Sequence, residues 1–246
     1  MRSAISTVFL CFFLRKNYSG SWLGKKPTIL AARGLVGFVA LTLYFWCLPR
    51  IPLGTAVMLN YTAPIFAIVW THFFSKEKTS PAVAGIVALS FVGVYLLTAP
   101  QMHIHPLPLL AGLGSGLLAG IVHVLIRQSH REESPFIIIF YFTTISAIGS
   151  AALLPFTGIV MPSSMDWAWL ALVTVSSLLG QVFLTYSLKE APVSVVSPFG
   201  YITPVLGMVL GLLFWREMPA VSAILGGAII IACGVALFQR HSSSNI

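Results

Sequence analysis

The sequence predicts an all-helical protein that crosses a membrane several times and consists of two related halves. Of its 246 residues, 57% are hydrophobic and 8% are charged, and its mean hydropathy is +0.93. Soluble domains carry about 25% charged residues, so this chain could not cover a water-exposed surface. The apolar residues lie in long runs, and one part of the sequence recurs 140 residues later. A lipid bilayer is therefore the expected surroundings of the protein.

Nine apolar runs, bounded by charged residues or proline, are the predicted transmembrane helices. A helix needs about 20 residues to cross the hydrocarbon core, and every run except the first is long enough. The runs are continuously apolar, whereas the strands of a membrane barrel would alternate at every second residue. The runs cover residues 1–14, 28–48, 52–74, 81–99, 106–126, 135–160, 166–187, 192–214 and 219–238.

The internal repeat aligns residues 48–77 with residues 188–217 at a constant offset of 140. Seven positions are identical, namely Leu48/Leu188, Pro52/Pro192, Tyr61/Tyr201, Pro64/Pro204, Val69/Val209, Phe74/Phe214 and Glu77/Glu217. After one inserted residue, Gly85 and Gly93 fall on Gly226 and Gly234. Residues 1–100 therefore form the predicted first repeat, residues 101–240 the second, and residues 241–246 a tail. Duplicated membrane helices that contain proline are typical of secondary transporters.

The repeat also predicts that one helix is missing. The run 135–160 corresponds to the run 1–14, so the run that opens at Pro106 has no counterpart after Met1. The expected plan is thus ten helices without the first, either in a truncated form or in a version that works with nine. Five helices per half, once the missing one is counted, would make the two halves antiparallel in the membrane.

The basic residues predict the orientation. The opposite set is small: two loops on one side carry Arg50 and Arg216, and Arg2 lies at the start of the first run on that side. About eleven basic residues fall on the other side, which the positive-inside rule makes cytoplasmic together with the C-terminus. Because these residues are scattered over several short loops, nucleic acid is not an expected partner. A bacterial inner membrane is the expected location, with an organelle membrane as the alternative. The cytoplasmic set is Arg15, Lys16, Lys25, Lys26, Arg33, Lys76, Lys78, Arg127, Arg131, Lys189 and Arg240.

Several short motifs resemble a known family. In the first half they are Arg33-Gly34-x-x-Gly37, Tyr44-Phe45, Ala63-Pro64 and Phe73-Phe74-Ser75-Lys76-Glu77; in the second half, Ala191-Pro192, Thr203-Pro204 and Phe214-Trp215-Arg216-Glu217. Together they resemble the drug/metabolite transporter superfamily, and within it the EamA-type permeases, over nearly the whole chain. The resemblance implies two inverted repeats, transport of a small solute, and a helix-end corner at Glu77 and at Glu217. The glycine of the family's corner is absent here.

The paired prolines indicate where a solute would pass. Proline removes a helical hydrogen bond, which is tolerated inside a membrane only where the backbone is buried in protein or lines a wet cavity. Packing alone is the alternative for the prolines, and anchoring at the membrane surface is the alternative for the aromatic residues. The predicted substrate cavity comprises Tyr44, Trp46, Asn60, Tyr61, Pro64, His123, Gln181, Tyr186, Ser197, Tyr201 and Pro204.

Ionisable residues within the spans limit the expected energy coupling. His123 is predicted to be the one ionisable side chain well inside a span, either functional or simply hydrogen-bonded to a neighbouring helix. None of the six acidic residues falls at mid-span, although proton-driven exporters use a buried carboxylate. The expected function is therefore a permease for an amino-acid-like or other neutral, zwitterionic or anionic solute, working by alternating access.

Other functions are weaker predictions. The chain could be a non-transporting remnant or an accessory subunit, and a homodimer is a further expectation. An intramembrane hydrolase would pair Ser115 with His123, but eight residues of one helix separate them by about 12 Å. No enzyme activity, cofactor or metal site is expected. Gly112, Gly116 and Gly120 recur on one helix face and predict close helix packing, as do Gly207 and Gly211.

Overall fold

The computed structural model describes residues 1–18, 20–74, 80–98, 106–130, 133–157, 163–216 and 218–243. This part of the chain is helical, with short connections and no strand. The helices are α1 (Arg2–Asn17), α2 (Pro27–Cys47), α3 (Leu53–Asn60), α4 (Ala63–Phe74), α5 (Pro81–Thr98), α6 (Pro106–His130), α7 (Pro135–Thr157), α8 (Ser164–Glu190), α9 (Val193–Val196), α10 (Ile202–Leu210) and α11 (Val221–Ser243). A 3₁₀ turn covers Ser197–Tyr201, and a π-helical turn covers Gly211–Trp215.

This arrangement confirms the predicted multi-span helical fold. Six helical segments of the described chain are long and apolar enough to cross a membrane: Pro27–Cys47, Leu53–Phe74, Pro106–Ser129, Pro135–Pro155, Ser164–Glu190 and Val193–Phe214. The apolar stretches Pro81–Leu97 and Val221–Leu237 are shorter. Each predicted run thus contains a helix or an interrupted pair of helices.

The first residues of the helices explain their positions. Pro27, Pro81, Pro106 and Pro135 each occupy the first helical position, where proline costs no hydrogen bond and its fixed φ suits the helix. At the start of α8, the Ser163 backbone N–H donates to the Asp166 carboxylate at 2.8 Å, and the Asp166 N–H donates to the Ser163 hydroxyl. This reciprocal cap satisfies two backbone donors that a helix start leaves unpaired.

The described chain divides into two compact units. The first unit comprises residues 1–38 and 125–190. Within it, α1 packs against α7 and α8. Gly34 allows α7 to approach α2 closely, since a Cβ there would lie 3.1 Å from the carbonyl oxygen of Tyr141. The aliphatic side chains buried in this unit are Leu10, Leu14, Leu30, Ile126, Ile137, Ile138, Ile139 and Leu188.

The second unit comprises residues 39–124 and 191–246, and α5 packs along α11 at its centre. The two helices cross closely at glycine: a Cβ on Gly93 would lie 2.9 Å from the carbonyl oxygen of Gly226. A core cluster forms beside this crossing from Met58, Val87, Val94, Tyr201, Val205 and Ile230. Helices α5 and α11 are equivalents in the repeat, as are α1 and α7, so each unit contains a packed pair of repeat-related helices.

The glycine predictions have different outcomes. A Cβ on Gly116 would lie 2.6 Å from the carbonyl oxygen of Leu59, and one on Gly120 would lie 2.8 Å from the backbone nitrogen of Ala67. The stripe on α6 therefore packs directly on the backbone of α3 and α4, as expected. The prediction of a second close approach at Gly207 is wrong, because no described atom lies within 4 Å of its Cβ position.

Candidate functional site

The first helix break lies at Tyr61–Thr62, between α3 and α4. The backbone N–H of Tyr61 still donates to the Val57 carbonyl oxygen at 2.9 Å, four residues back. The next N–H, on Thr62, donates instead to the Leu59 carbonyl oxygen, only three residues back. The hydroxyl of Thr62 also donates to the Leu59 carbonyl oxygen at 2.6 Å. Pro64 is the second residue of the new helix, where its missing N–H costs least. The prediction of proline within one kinked helix is thus refined: the helix stops and restarts.

The second break lies at the equivalent place in the other half. The chain leaves α9, forms the 3₁₀ turn Ser197–Tyr201, and resumes as α10 at Ile202. Pro204 is buried at the third position of α10 and provides no N–H to the carbonyl group of Gly200, four residues earlier. Both halves therefore interrupt the same helix just before the paired proline.

Two equivalent tyrosines meet at these breaks. The rings of Tyr61 and Tyr201 have centroids 6.1 Å apart and an interplanar angle of 46°. A residue can touch its own repeat equivalent only near the axis that relates the two halves, as in any isologous contact. Tyr61 is hydrogen-bonded to the side chain of Thr203. Tyr201 is 0% exposed, and its hydroxyl has no partner among the described residues.

Two further predicted residues bond to each other at the second break. Nδ1 of His123, on α6, lies 2.7 Å from the hydroxyl oxygen of Ser197, the first residue of the 3₁₀ turn. On the first break, Asn60 donates to Ser115 at 3.2 Å, and the Ser115 hydroxyl donates to the Gly112 carbonyl oxygen at 2.6 Å. Ser115 and His123 thus have separate partners, which provides no support for the hydrolase alternative.

The aromatic candidates of α2 lie in different surroundings. Tyr44 is partly buried against a small cluster that includes Cys47 and Ala56. Trp46 is 37% exposed, and its ring lies 4.1 Å from the guanidinium carbon of Arg50. Arg50 also donates to the carbonyl oxygen of Trp46 at 2.6 Å. An exposed indole next to a cation at a helix end is also what the anchoring alternative expects, so the cavity role of Trp46 stays a prediction.

Gln181 and Tyr186 belong to the first unit, on α8. Tyr186 is 40% exposed and meets the ring of Phe136 edge to face, at a centroid distance of 6.4 Å. The Oε1 atom of Gln181 accepts a hydrogen bond of 2.9 Å from Nη2 of Arg33. The other candidates lie in the second unit, so the common cavity that joins all of them stays a prediction.

Arg33 is more deeply buried than its position in the sequence indicated. The expected place was just inside a helix, but the side chain is 1% exposed. Its guanidinium carbon lies 4.2 Å from the centroid of the Phe142 ring. Nη1 lies over Gly37, one turn further along α2, because a Cβ on that glycine would be only 2.9 Å away. The sequence signal for this buried residue was an arginine within an apolar run. The sequence does not show the direction of its side chain.

A small polar cavity adjoins the two side chains that hold Arg33. Gln181 and Phe142 line it, and its volume of about 10 Å³ is close to the minimum that holds one ordered water. Arg2 donates to the Ser177 hydroxyl at 3.2 Å on the same cavity wall. The prediction placed Arg2 on the non-cytoplasmic side, at the start of the first run, yet Ser177 is near the middle of α8. The remaining lining residues are Ser3, Ser6, Thr143 and Leu178.

The predicted helix-end corners, Glu77 and Glu217, lie outside the described residues. Within the described ranges, no group of three or more His, Cys, Asp or Glu side chains could hold a metal.

The helices and the paired breaks define a class: a helical membrane protein that crosses the bilayer several times and whose two halves arose by duplication. The chain belongs to the EamA-like transporter family, which its residues 1–99 and 106–239 match. The resemblance seen in the sequence motifs is therefore confirmed.

Named relatives of this family are transporters. The pseudopaline exporter CntI of Pseudomonas aeruginosa (strain UCBPP-PA14) is 30% identical over 239 residues, which cover 96% of this chain and 83% of the relative. The riboflavin transporter of Brucella anthropi is 25% identical over 208 residues, covering 82% of this chain and 73% of the relative. A crystal structure with 18% sequence identity has a TM-score of 0.80 and covers 96% of this chain and 86% of its own, which shows the shared fold.

Proposed function

We propose that this protein is a permease that moves a small metabolite across the membrane by alternating access, with the two helix breaks as walls of the solute pathway. The contact between Tyr61 and Tyr201 is the observation that carries this proposal. Interrupted helices at membrane depth free backbone carbonyl groups for a solute, and their pairing about a repeat axis suits a site that opens alternately to each side.

The proposed solute is neutral, zwitterionic or anionic, and amino-acid-like solutes are included. This proposal rests on the positions of the carboxylates in the described part of the chain. Glu133 accepts hydrogen bonds from the backbone of Lys25 and Lys26, while Asp166 and Glu190 lie at opposite ends of α8. A cationic solute would need a carboxylate within the spans to replace its hydration.

The proposed topology has the repeats 1–100 and 101–240 antiparallel and the tail 241–246 in the cytoplasm of a bacterial cell. The excess of lysine and arginine on one set of loops supports it. Fluorescence of a green fluorescent protein fused after Ile246, with inactivity of alkaline phosphatase fused at the same place, is the expected result. Active phosphatase at this position would reverse the topology.

The transport proposal is tested with the full chain in liposomes of phosphatidylcholine. Counterflow of radiolabelled alanine, succinate, riboflavin and choline identifies a carried solute. We expect Pro64→Ala and Pro204→Ala each to lower its flux about tenfold, equal to about 1.4 kcal/mol in the barrier, because the restored N–H lets the helix close over the break. Pro155→Ala is the control, since Pro155 lies within α7 and belongs to neither break.

Undiminished flux in both proline variants would remove the breaks from the solute pathway. A wild-type protein that folds but carries none of the four solutes would instead favour the accessory-subunit alternative.

A further inference from the structure

We propose that Arg33 binds an oxyanion group of the transported solute, a carboxylate or a phosphate, and that Gln181 is the neutral acceptor that occupies this place when no solute is bound. The proposal rests on the permease function above and assigns the charge class of its solute. The position of the guanidinium group, its partners and the surrounding charges each support it.

The guanidinium group lies deep within α2. The helix has 21 residues, a length of about 31 Å, and Gly37 is about 15 Å from its first residue. Arginines near helix ends normally extend back towards the membrane surface, where water solvates them. The side chain of Arg33 takes the opposite direction, towards the helix middle, and Gly37 leaves the space for it. A cation is thus held away from water by the fold itself.

The partners of this cation are neutral and incomplete. Nη2 donates to Gln181 at 2.9 Å, and the Phe142 ring faces the guanidinium carbon. Nε and Nη1 are buried and have no hydrogen-bond partner among the described residues. Guanidinium carries five N–H donors in a planar fork that matches the two oxygens of a carboxylate or phosphate. The unused donors therefore match an oxyanion.

The charges around the site do not supply that oxyanion. In the described part of the first unit, Glu133 is engaged by the backbone of Lys25 and Lys26, and Asp166 by Ser163. Glu190 ends α8, nine residues beyond Gln181, about 13 Å along the helix. Arg2 adds a second positive charge on the adjoining cavity. A buried charge is costly unless paired, so an anion from outside the chain would offset that cost.

Gln181 is a partner of Arg33 that an oxyanion can replace. Its side chain is half-buried and lines the polar cavity, while its Oε1 atom bonds to the arginine. A carboxylate oxygen can replace Oε1 with a stronger, charge-assisted bond. The present cavity, which α1, α7 and α8 line, holds about one water, so solute entry requires these helices to move apart. Such movement is expected of a transporter that opens alternately.

The test measures oxyanion binding by the purified full chain in a neutral detergent. Thermal unfolding is followed with succinate, inorganic phosphate or chloride at matched ionic strength. We expect succinate or phosphate to raise the unfolding midpoint of the wild type, and Arg33→Gln to weaken the apparent affinity about 10- to 100-fold. Arg50→Gln is the matched control, because Arg50 also packs on an aromatic ring but lies exposed in the second unit.

Two further variants keep the result interpretable if Arg33→Gln does not fold. Arg33→Lys retains the charge without the fork and is expected to bind more weakly than the wild type. Gln181→Glu places a carboxylate beside the guanidinium; it should raise the midpoint without added anion and abolish the response to succinate and phosphate. An equal response in the wild type and in Gln181→Glu would overturn the proposal, as would no response in the wild type.

Flux in phosphatidylcholine liposomes shows whether the oxyanion group belongs to the solute or to a lipid headgroup. It also distinguishes a failure of this proposal from a failure of the permease function. Because these vesicles contain no anionic lipid, oxyanion flux that depends on Arg33 identifies the solute as the source. Arg33-dependent flux that requires added phosphatidylglycerol would contradict the solute assignment. If the protein carries a neutral solute and Arg33→Lys leaves succinate and phosphate flux unchanged, the oxyanion proposal fails while the permease stands. If oxyanions bind but nothing is carried, the permease fails.

Discussion

The two helix breaks share tyrosine and proline at the same repeat positions, yet they differ in shape. The first is a turn of two residues, Tyr61–Thr62, and α4 then continues regularly to Phe74. The second is a 3₁₀ turn of five residues, and α10 passes into the π-helical turn Gly211–Trp215. The shared tyrosine and proline thus mark where the helix is interrupted. They do not determine how many residues the interruption includes.

The residues preceding the tyrosines explain this difference. The second copy has Pro198 and Gly200 where the first copy has Met58 and Asn60. Pro198 lacks an N–H, and glycine in a helix costs about 1 kcal/mol relative to alanine, so both residues loosen the chain before Tyr201. The two copies therefore share the position of the break, while the residues in which they differ account for its length.

The tyrosines themselves also differ in their hydrogen bonding. Tyr61 bonds to Thr203, whereas the repeat equivalent of Thr203 is Ala63, which offers Tyr201 no hydroxyl. The second hydroxyl is therefore buried without a partner in the described residues. We propose that this unpaired hydroxyl bonds to the solute when the pathway opens.

The largest expected effect comes from tightening the first break. Gly116→Ala places a methyl group 2.6 Å from the carbonyl oxygen of Leu59, a backbone atom that cannot move aside cheaply. We expect a loss of about 3 kcal/mol in unfolding free energy, the upper range for overpacking. Thermal unfolding in detergent measures it. Gly114→Ala, on the same helix, meets only a Leu43 side chain at 3.5 Å and should be neutral; equal losses in both would contradict the packing account.

A smaller effect on stability should differ between the two tyrosines. Tyr61→Phe removes the bond to Thr203 and should cost about 1 kcal/mol of stability, whereas Tyr201→Phe removes an unpaired buried hydroxyl and should be neutral or stabilising by up to about 1 kcal/mol. Unfolding midpoints of the two variants measure the difference. If the Tyr201 hydroxyl contacts the solute, its variant should nevertheless lose flux. Equal destabilisation by both changes would show that Tyr201 has a structural partner.

Much of the fold followed from simple properties of the sequence. Long apolar runs determine helices that cross a bilayer, and a constant offset of 140 identified the halves and paired Pro64 with Pro204. These signals depend on residue type and spacing, which a sequence displays directly. The contact of Tyr61 with Tyr201 is consistent with that pairing.

The details that escaped prediction depend on the third dimension. Arg33 looked like a loop-proximal arginine because spacing does not reveal that its side chain points towards Gly37. Gly207 matched a packing motif, but no described atom lies within 4 Å of a Cβ placed on it. At the helix stop before Pro64, the Thr62 hydroxyl bonds to the Leu59 carbonyl oxygen. The periodicity of apolar residues does not predict such a local hydrogen bond.

The most direct test of the solute pathway is whether a reagent reaches the second break from each side of the membrane. Gly200→Cys suits this measurement, because a side chain there would meet only the Tyr61 ring, at 4.0 Å. The native Cys11, Cys47 and Cys233 are first replaced by serine or alanine, and a membrane-impermeant maleimide is added outside or inside oriented vesicles. Gly234→Cys, at a position that meets no described atom within 4 Å, is the control.

We expect the Gly200→Cys variant to react with the maleimide from both sides, and a transported solute to shift the balance between the two sides. The Gly234→Cys variant should stay unlabelled. Labelling of the Gly200→Cys variant from one side alone under every condition, or from neither side, would contradict a pathway that passes the paired breaks.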